Sequence, residues 1–222
     1  MNTLPDLSWL RSRDFRAGPL GVRTVSRRDW TALAQALAAG RLTLMSLWAD
    51  DGAAFMALHD PEARRVAVAR LDGLTRGFPS VGRHHAPAQR LERAVADLFG
   101  LVAEGAEDVR PWLDHGRWEI RHPLGDARPQ QACPPYPFLP VEGESLHQVP
   151  VGPVHAGIIE PGHFRFTAQG ETVVRLEERL GYVHKGIDRL MRGADLARGA
   201  ELAGRTSGDS TVGYSWAFAQ AA

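Results

Sequence analysis

One cysteine, Cys133, is all the thiol this chain has. An intramolecular disulfide is thereby excluded, as is a metal centre built from the chain's own cysteines. The lone thiol lies in a proline-rich stretch and reads as incidental, and usage this sparse fits a reducing compartment. An excess of one charge is missing too. Lys+Arg and Asp+Glu number 26 each, so no global basic field draws the chain to nucleic acid or to an acidic membrane surface. No run approaches the ~20 apolar residues of a membrane span. Residues 1–20 carry Asp and Arg without an apolar core, so no signal peptide is visible. Work at a membrane then falls to partners that hold the chain there. No G-x-G-x-x-G follows a strand, so no dinucleotide is expected on this chain. No H-E-x-x-H supports a free metal hydrolase.

What is present reads as α+β, in one large or two small domains. Residues 1–19 form a polar lead-in. Ser26 is a good N-cap with Asp29 three residues on, Trp30, Leu33, Ala34 and Leu37 share a helical face, and Gly40 ends it. Leu42, Leu44, Ser46 and Trp48, then Ala53 to Leu58, read as two strands about an Asp50-Asp51-Gly52 turn. Arg65 to Leu71 reads as a third. Pro87 suits the first turn of a second helix and Gly100 its end, with Leu91, Val95 and Leu98 as the buried stripe. Glu92, Arg93 and Asp97 on that helix are expected to pair at the surface, for about 0.2–0.5 kcal/mol each. This order predicts a small sheet with helices on one face over residues 20–121.

Seven prolines between residues 122 and 150 predict an extended tether without packed elements, anchored by Tyr136 and Phe138. Beyond it, Phe164, Phe166 and Ala168 alternate with His163, Arg165 and Thr167. Gln169-Gly170 supplies a turn, and Glu171 to Leu176 returns, so a hairpin is expected. Past Ile187 the chain turns helical. His155, Glu160, His163 and His184 fall near the ends of these elements, where functional side chains gather. Single histidines in such places are also ordinary surface residues, and the pattern alone leaves both readings open. Ser207, Asp209 and Ser210 read on their own as helix caps.

Three runs in residues 151–222 carry a resemblance: G-P-x-H at 152–155, E-P-G-H-F-R-F at 160–166, and L-G-Y-V-H-K-G-I-D-R-L at 180–190. They resemble the start of the large subunit of membrane-bound, energy-converting [NiFe] hydrogenases and the homologous quinone-cavity subunit of respiratory complex I. Carried by F-P-S and L-E-R-A-V-A-D-L-F-G followed by D-V-R, the domain at 20–121 resembles the small hydrophilic subunit of complex I, although Ala94 replaces the family's second Glu. The small-then-large order in one chain resembles fused members of the group.

The resemblance implies a peripheral subunit on the cytoplasmic side of a membrane, within a complex that couples electron transfer to proton movement. Its implied partners are an iron-sulfur subunit, a ferredoxin-like subunit and integral membrane antiporter-like subunits, with iron-sulfur clusters held by the partner and no nucleic acid. By resemblance, Glu160 is a proton relay, in a part-buried place that favours the neutral form. His155 meets a quinone head group, His163 joins the same site, and Arg205 opens the metal motif. His184 lines the cavity, and Asp209 is grouped with it although the resemblance supplies no role for it. The hydrogenase motif R-x-C-G-x-C reads Arg205, Thr206, Ser207, Gly208, Asp209, Ser210 here, with serine at both nickel-ligand positions. Soft thiolates select nickel and hydroxyls do not, so no nickel is expected. The place of the family's quinone tyrosine is Ser207-Gly208, which leaves quinone binding open. In the family, the large subunit runs well beyond this length to a second C-x-x-C. The apolar end at 212–222 is therefore expected to mark a truncated gene, a split subunit or a fragment. The competing expectation is a non-catalytic scaffold that keeps the fold without the chemistry.

Overall fold

The computed structural model describes residues 21–50, 52–132 and 134–222. The lead-in at 1–19, Asp51 of the expected turn and Cys133 lie outside the described residues. Two compact units divide between Pro137 and Phe138.

The first unit starts with β1 (Gly21–Thr24) and α1 (Arg27–Ala38). Ser26 caps α1 as expected, its hydroxyl oxygen accepting the Asp29 amide at 3.1 Å. Three antiparallel strands follow, β2 (Thr43–Asp50), β3 (Ala53–Asp60) and β4 (Arg65–Leu71), and β1 lies parallel to β4 in the order β1-β4-β3-β2. β1 is an element the sequence reading misses, because four residues with three exposed carry no alternation. The periodicity in β2 also needs correcting. Leu44 pairs with Leu58 and Ser46 with Ala57, leaving Met45 as a bulge. The extra residue flips the strand's parity. Leu42 and Leu44 face the core before it, Leu47 and Ala49 after it, and Trp48 turns outward to stack on Phe55 at 5.3 Å.

Leu47, Ala49, Ala54, Met56, Leu58, Ala69 and Leu71 form one buried sheet face and share a continuous core with Trp30, Leu33, Leu37 and Val95. Both long helices therefore serve the same face, as the α+β reading requires. Trp30 is fully buried, with its indole N–H on Pro79 O at 3.0 Å and its ring edge-on to Phe78.

Next come β5 (Gly77–Pro79), a 3₁₀ turn at Ala86–Ala88 holding Pro87, α2 (Gln89–Phe99) and β6 (Val102–Glu104), which pairs parallel with β5. Gly100 ends α2 in the left-handed region. At Gly77 a Cβ would sit 2.2 Å from Val102 O, on backbone held by the β5–β6 ladder. Gly77→Ala is expected to cost about 1–3 kcal/mol, read as a lower urea midpoint. An unchanged midpoint would show that the two strands part freely.

The proline-rich stretch is not free of packed elements as the sequence suggests, although the described residues of 130–145 form no strand or helix. β7 (Ile120–Arg121) pairs with β8 (Arg128–Pro129), and β9 (Leu146–Val151) is a strand of the second unit. Pro150 is accommodated because β9 is an edge strand, where a missing N–H can face away from the ladder. In the second unit β9 pairs with β10 (His163–Gln169), which pairs with β11 (Thr172–Arg179). The hairpin turns at Gly170 as expected, and its return strand runs three residues further than the sequence suggests. Three helices follow: α3 (Ile187–Met191), α4 (Leu196–Gly204) and, after a 3₁₀ turn at Gly208–Ser210, α5 (Thr211–Ala221). Among the described residues no helix is long and apolar enough to cross a membrane.

One face of the β9–β10–β11 sheet is covered by the chain itself. Phe138 lies under the Arg165 guanidinium at 3.8 Å and edge-on to His163, while Arg175 donates to Leu139 O and Pro140 O and Glu177 accepts the Leu139 amide. The opposite parity places Val149 and Val151 beside Phe166 and Phe164, with Leu176 next in register. Val149, Val151 and Leu176 are exposed.

Candidate functional site

In the first unit the chemistry-bearing residues converge on α2. Glu92 is 2% exposed and Arg93 9%. Surface pairing, the reading the sequence favours for Glu92, Arg93 and Asp97, is overturned, because Glu92 holds the 80–82 loop while Arg93 and Asp97 hold the 108–114 segment. Glu92 accepts the Ser80 hydroxyl at 2.9 Å and the Val81 and Gly82 amides, fixing the 80–82 loop. Arg93 donates from Nε to Arg110 O at 2.6 Å and from Nη1 to Asp108 at 3.2 Å. Its Nη2 reaches Pro111 O at 3.0 Å and the Tyr136 hydroxyl at 3.1 Å. The same guanidinium lies 4.8 Å from the Trp112 ring centre. Asp97 accepts the amides of Trp112, Leu113 and Asp114 through one oxygen.

Burial pushes the Glu92 carboxyl above its ordinary range, outweighing the Gly82, Ser80 and Val81 donors. Burial likewise raises Asp97 against its three amide donors, with the Asp114 charge adding to the rise. At Asp108 burial also opposes the charge, but hydrogen bonds from Arg110 and the charges of Arg93 and Arg110 prevail and hold the carboxyl low. A small cleft of about 100 Å³ opens beside this cluster, lined by Arg93, Asp97, Asp108 and Arg110 among others. The signal that could have exposed the cluster is the segment after it. Among the described residues of 105–137 only two two-residue strands occur, so their backbone donors and acceptors need side-chain partners from elsewhere.

In the second unit β9 and β10 are antiparallel neighbours, and the 152–162 loop joins them. His155 Nδ1 accepts the Gly157 amide at 3.0 Å. His163 Nδ1 lies 3.0 Å from Gly152 O. Thus the structure brings these two histidines onto one loop. Glu160 rides on the same loop and is exposed, as are Ile158 and Ile159 beside it. The part-buried setting expected for a relay carboxylate is therefore not supplied by the described residues, because the apolar neighbours of Glu160 are exposed with it.

The remaining candidates gather after β11. His184 sits in the turn before α3, its amide 3.5 Å from Gly181 O. Next to it, Lys185 Nζ donates to Arg205 O at 3.1 Å and Thr206 O at 2.9 Å, bringing the His184 turn to the end of α4. The Arg205 guanidinium is exposed, 4.0 Å from Glu201. Ser207 and Ser210 do not cap through their side chains as expected. Both hydroxyls donate instead to Asp209, at 2.5 and 3.4 Å, and the Ser207 bond is the main reason the Asp209 carboxyl is held low. Among the described residues no three His, Cys, Asp or Glu side chains are set to hold a metal ion.

Comparison with known proteins adds an independent finding. Residues 23–132 match the family described as respiratory-chain NADH dehydrogenase, 30 Kd subunit. The chain is 37% identical over 134 residues to hydrogenase-4 component G of Escherichia coli K12, covering 56% of this chain and 24% of that protein. It is 34% identical over 124 residues to formate hydrogenlyase subunit 5 of the same organism, covering 51% and 22%. It is 32% identical over 120 residues to the C/D subunit of NADH-quinone oxidoreductase from Bdellovibrio bacteriovorus, covering 46% and 20%. The chain thus spans less than a quarter of the length of these relatives.

Proposed function

We propose that the chain works as a peripheral subunit of a membrane-associated complex of the NADH-quinone oxidoreductase and hydrogenase type, since residues 23–132 match the 30 Kd subunit family. The observation that carries this reading is that domain match together with relatives named for both kinds of complex. The exposed apolar row of Val149, Val151 and Leu176 supports it, since contiguous apolar surface marks protein contact sites. In this reading the complex couples electron transfer to proton movement. An iron-sulfur subunit, a ferredoxin-like subunit and antiporter-like membrane subunits are the partners, and they hold the chain at the cytoplasmic face.

Nickel does not fit the residues at the motif positions. Ser207 and Ser210 use their hydroxyl protons on Asp209, and a protonated hydroxyl is a hard, weak donor toward nickel. Glu160 relays protons, and because it is exposed in this chain, its enclosure falls to a partner. His155 and His163 serve the group bound at their loop, and quinone is the candidate. His184, Arg205 and Asp209 line the neighbouring bend.

A scaffold without chemistry is the second reading, favoured by the exposure of Glu160 and by the hydroxyls at the ligand positions. The two readings separate in the assembled complex. Glu160→Gln is expected to lower proton-coupled turnover ~10²-fold while subunits still co-purify through a tag on this chain. Unchanged turnover in Glu160→Gln and in His155→Ala would leave the scaffold. Failure of the wild-type chain to co-purify with an iron-sulfur subunit would remove both.

A further inference from the structure

Phe138, Leu139 and Pro140 lie across one face of the β9–β10–β11 sheet without adding a strand to it. A ladder draws on backbone N–H groups, and Pro137 and Pro140 have none. Side chains of the sheet hold the segment instead. Arg175 Nη2 donates to Leu139 O and Pro140 O, each at 3.0 Å, and Glu177 accepts the Leu139 amide at 3.0 Å. The Arg165 guanidinium lies 3.8 Å from the centre of the Phe138 ring. His163 meets the same ring edge-on at 5.3 Å. These four residues share a face: His163 and Arg165 alternate along β10, Arg175 and Glu177 along β11, and Arg165 stands opposite Glu177.

All of these contacts part when the segment moves by itself. The ladders joining β10 to β9 and to β11 take no residue from 138–140. The described residues of 130–145 form no strand or helix, so the movement breaks no element. No charge is stranded either. Glu177 is 5% exposed beneath the segment. With the segment away it keeps Arg175 at 3.3 Å and gains water in place of the Leu139 amide. We infer that Phe138–Pro140 is a strap, opening and closing over this face as one piece while the three strands stay paired. Closed, it seats the Arg165 guanidinium, which has no hydrogen bond or ion pair among the described residues, and it holds the His163 ring from one side. Open, it presents Arg165, Arg175 and Glu177 together to solvent.

The experiment is amide hydrogen exchange by NMR on the full chain. The Leu139 N–H reports on the strap, and the amides of the central strand β10 report on the sheet. One bond to a carboxylate protects Leu139 by roughly 10–100-fold, whereas the β10 amides wait for the sheet itself to open. Leu139 is therefore expected to exchange at least ~10-fold faster than the β10 amides. Phe138→Ala takes the ring from Arg165 and His163 and is expected to speed Leu139 further, with β10 unchanged. Glu177→Ala leaves Phe138 in place but frees the strap, so the His163 ring signals lose the shift that the Phe138 ring current gives them. Exchange of Leu139 at the β10 rate in the wild-type chain overturns the strap. So does a Leu139 rate unchanged in Phe138→Ala, and so does loss of β10 protection in that variant, since the sheet would then need the segment. Unmoved His163 signals in Glu177→Ala, with Leu139 exchange accelerated, overturn its movement as one piece.

Discussion

Arg93→Ala is expected to release residues 105–137 from the first unit while β2, β3 and β4 stay folded. The guanidinium is nearly fully buried and serves four acceptors, Arg110 O, Asp108, Pro111 O and the Tyr136 hydroxyl. Alanine strips all four at once and removes the cation from the Trp112 face. Breaking a buried charge-paired arrangement from one side costs about 3–5 kcal/mol. That is a large part of the roughly 5–15 kcal/mol that typically holds a domain. Arg93→Lys recovers little, because an ammonium cannot span the forked acceptors or stack on the indole. Hydrogen exchange read by mass spectrometry distinguishes local from global opening. Fast exchange at 108–114 with protected β2–β4 amides is the expected pattern. Full protection at 108–114 in the variant would show that Asp97 and Arg110 hold the segment unaided.

How much of this is legible in sequence depends on whether apolar spacing carries the information. α1, β3, β4 and the β10–β11 hairpin all follow from periodicity or turn residues, because each buries one face against a neighbour. β2 is visible too, but its parity misleads past Met45, since a bulge leaves no mark in a pattern of alternating residues. β1, β7 and β8 are too short to show a period, and Pro150 hides β9. Prolines argue for a stretch without packed elements, yet Pro129 and Pro150 lie in strands.

The site is less legible than the fold, for a physical reason. Glu92, Arg93 and Asp97 look like solvated charges because burial of a charge depends on partners that are distant in sequence, here Ser80, Asp108, Tyr136 and the 110–114 backbone. A motif singles out His155 and His163, but the opposite directions of their ring bonds come from Gly157 and Gly152, whose backbone geometry no motif encodes. Composition makes Ser207 and Ser210 look like caps. In the structure neither oxygen accepts a backbone N–H as a cap, and both hydroxyls donate to Asp209 between them.

Glu92 makes the pH dependence of stability a direct test of the α2 cluster. Its carboxyl is raised by burial above the ordinary 4.5, so the unfolded chain ionises it first. A group raised on folding contributes stability that is full below its unfolded pKa and is lost as pH climbs through the folded value. Asp97 has the same sign, starting from 3.8. Asp108 is lowered and has the opposite sign, its contribution present above 3.8 and lost as pH falls. From these three groups, stability rises out of strong acid, peaks near the ordinary carboxylate range and declines above it. The decline from one group reaches at most about 1.4 kcal/mol per pH unit. Glu92→Gln keeps an acceptor for the Val81 and Gly82 amides, and its amide can donate to the Ser80 hydroxyl oxygen. It is therefore expected within about 1 kcal/mol of wild type near pH 4, with a flatter decline above. The difference between the two chains then moves in favour of Gln as pH rises. Glu92→Ala orphans the Val81 and Gly82 amides and the Ser80 hydroxyl at every pH, for about 2–5 kcal/mol. Urea midpoints from roughly pH 4 to 8, spanning the ordinary carboxylate range and above, followed by exchange at Val81 and Gly82, check all three chains. Parallel curves for wild type and Glu92→Gln would mean that Glu92 ionises as freely in the folded chain as in the unfolded one, and that its carboxylate does not hold the 80–82 loop at the cost of burial.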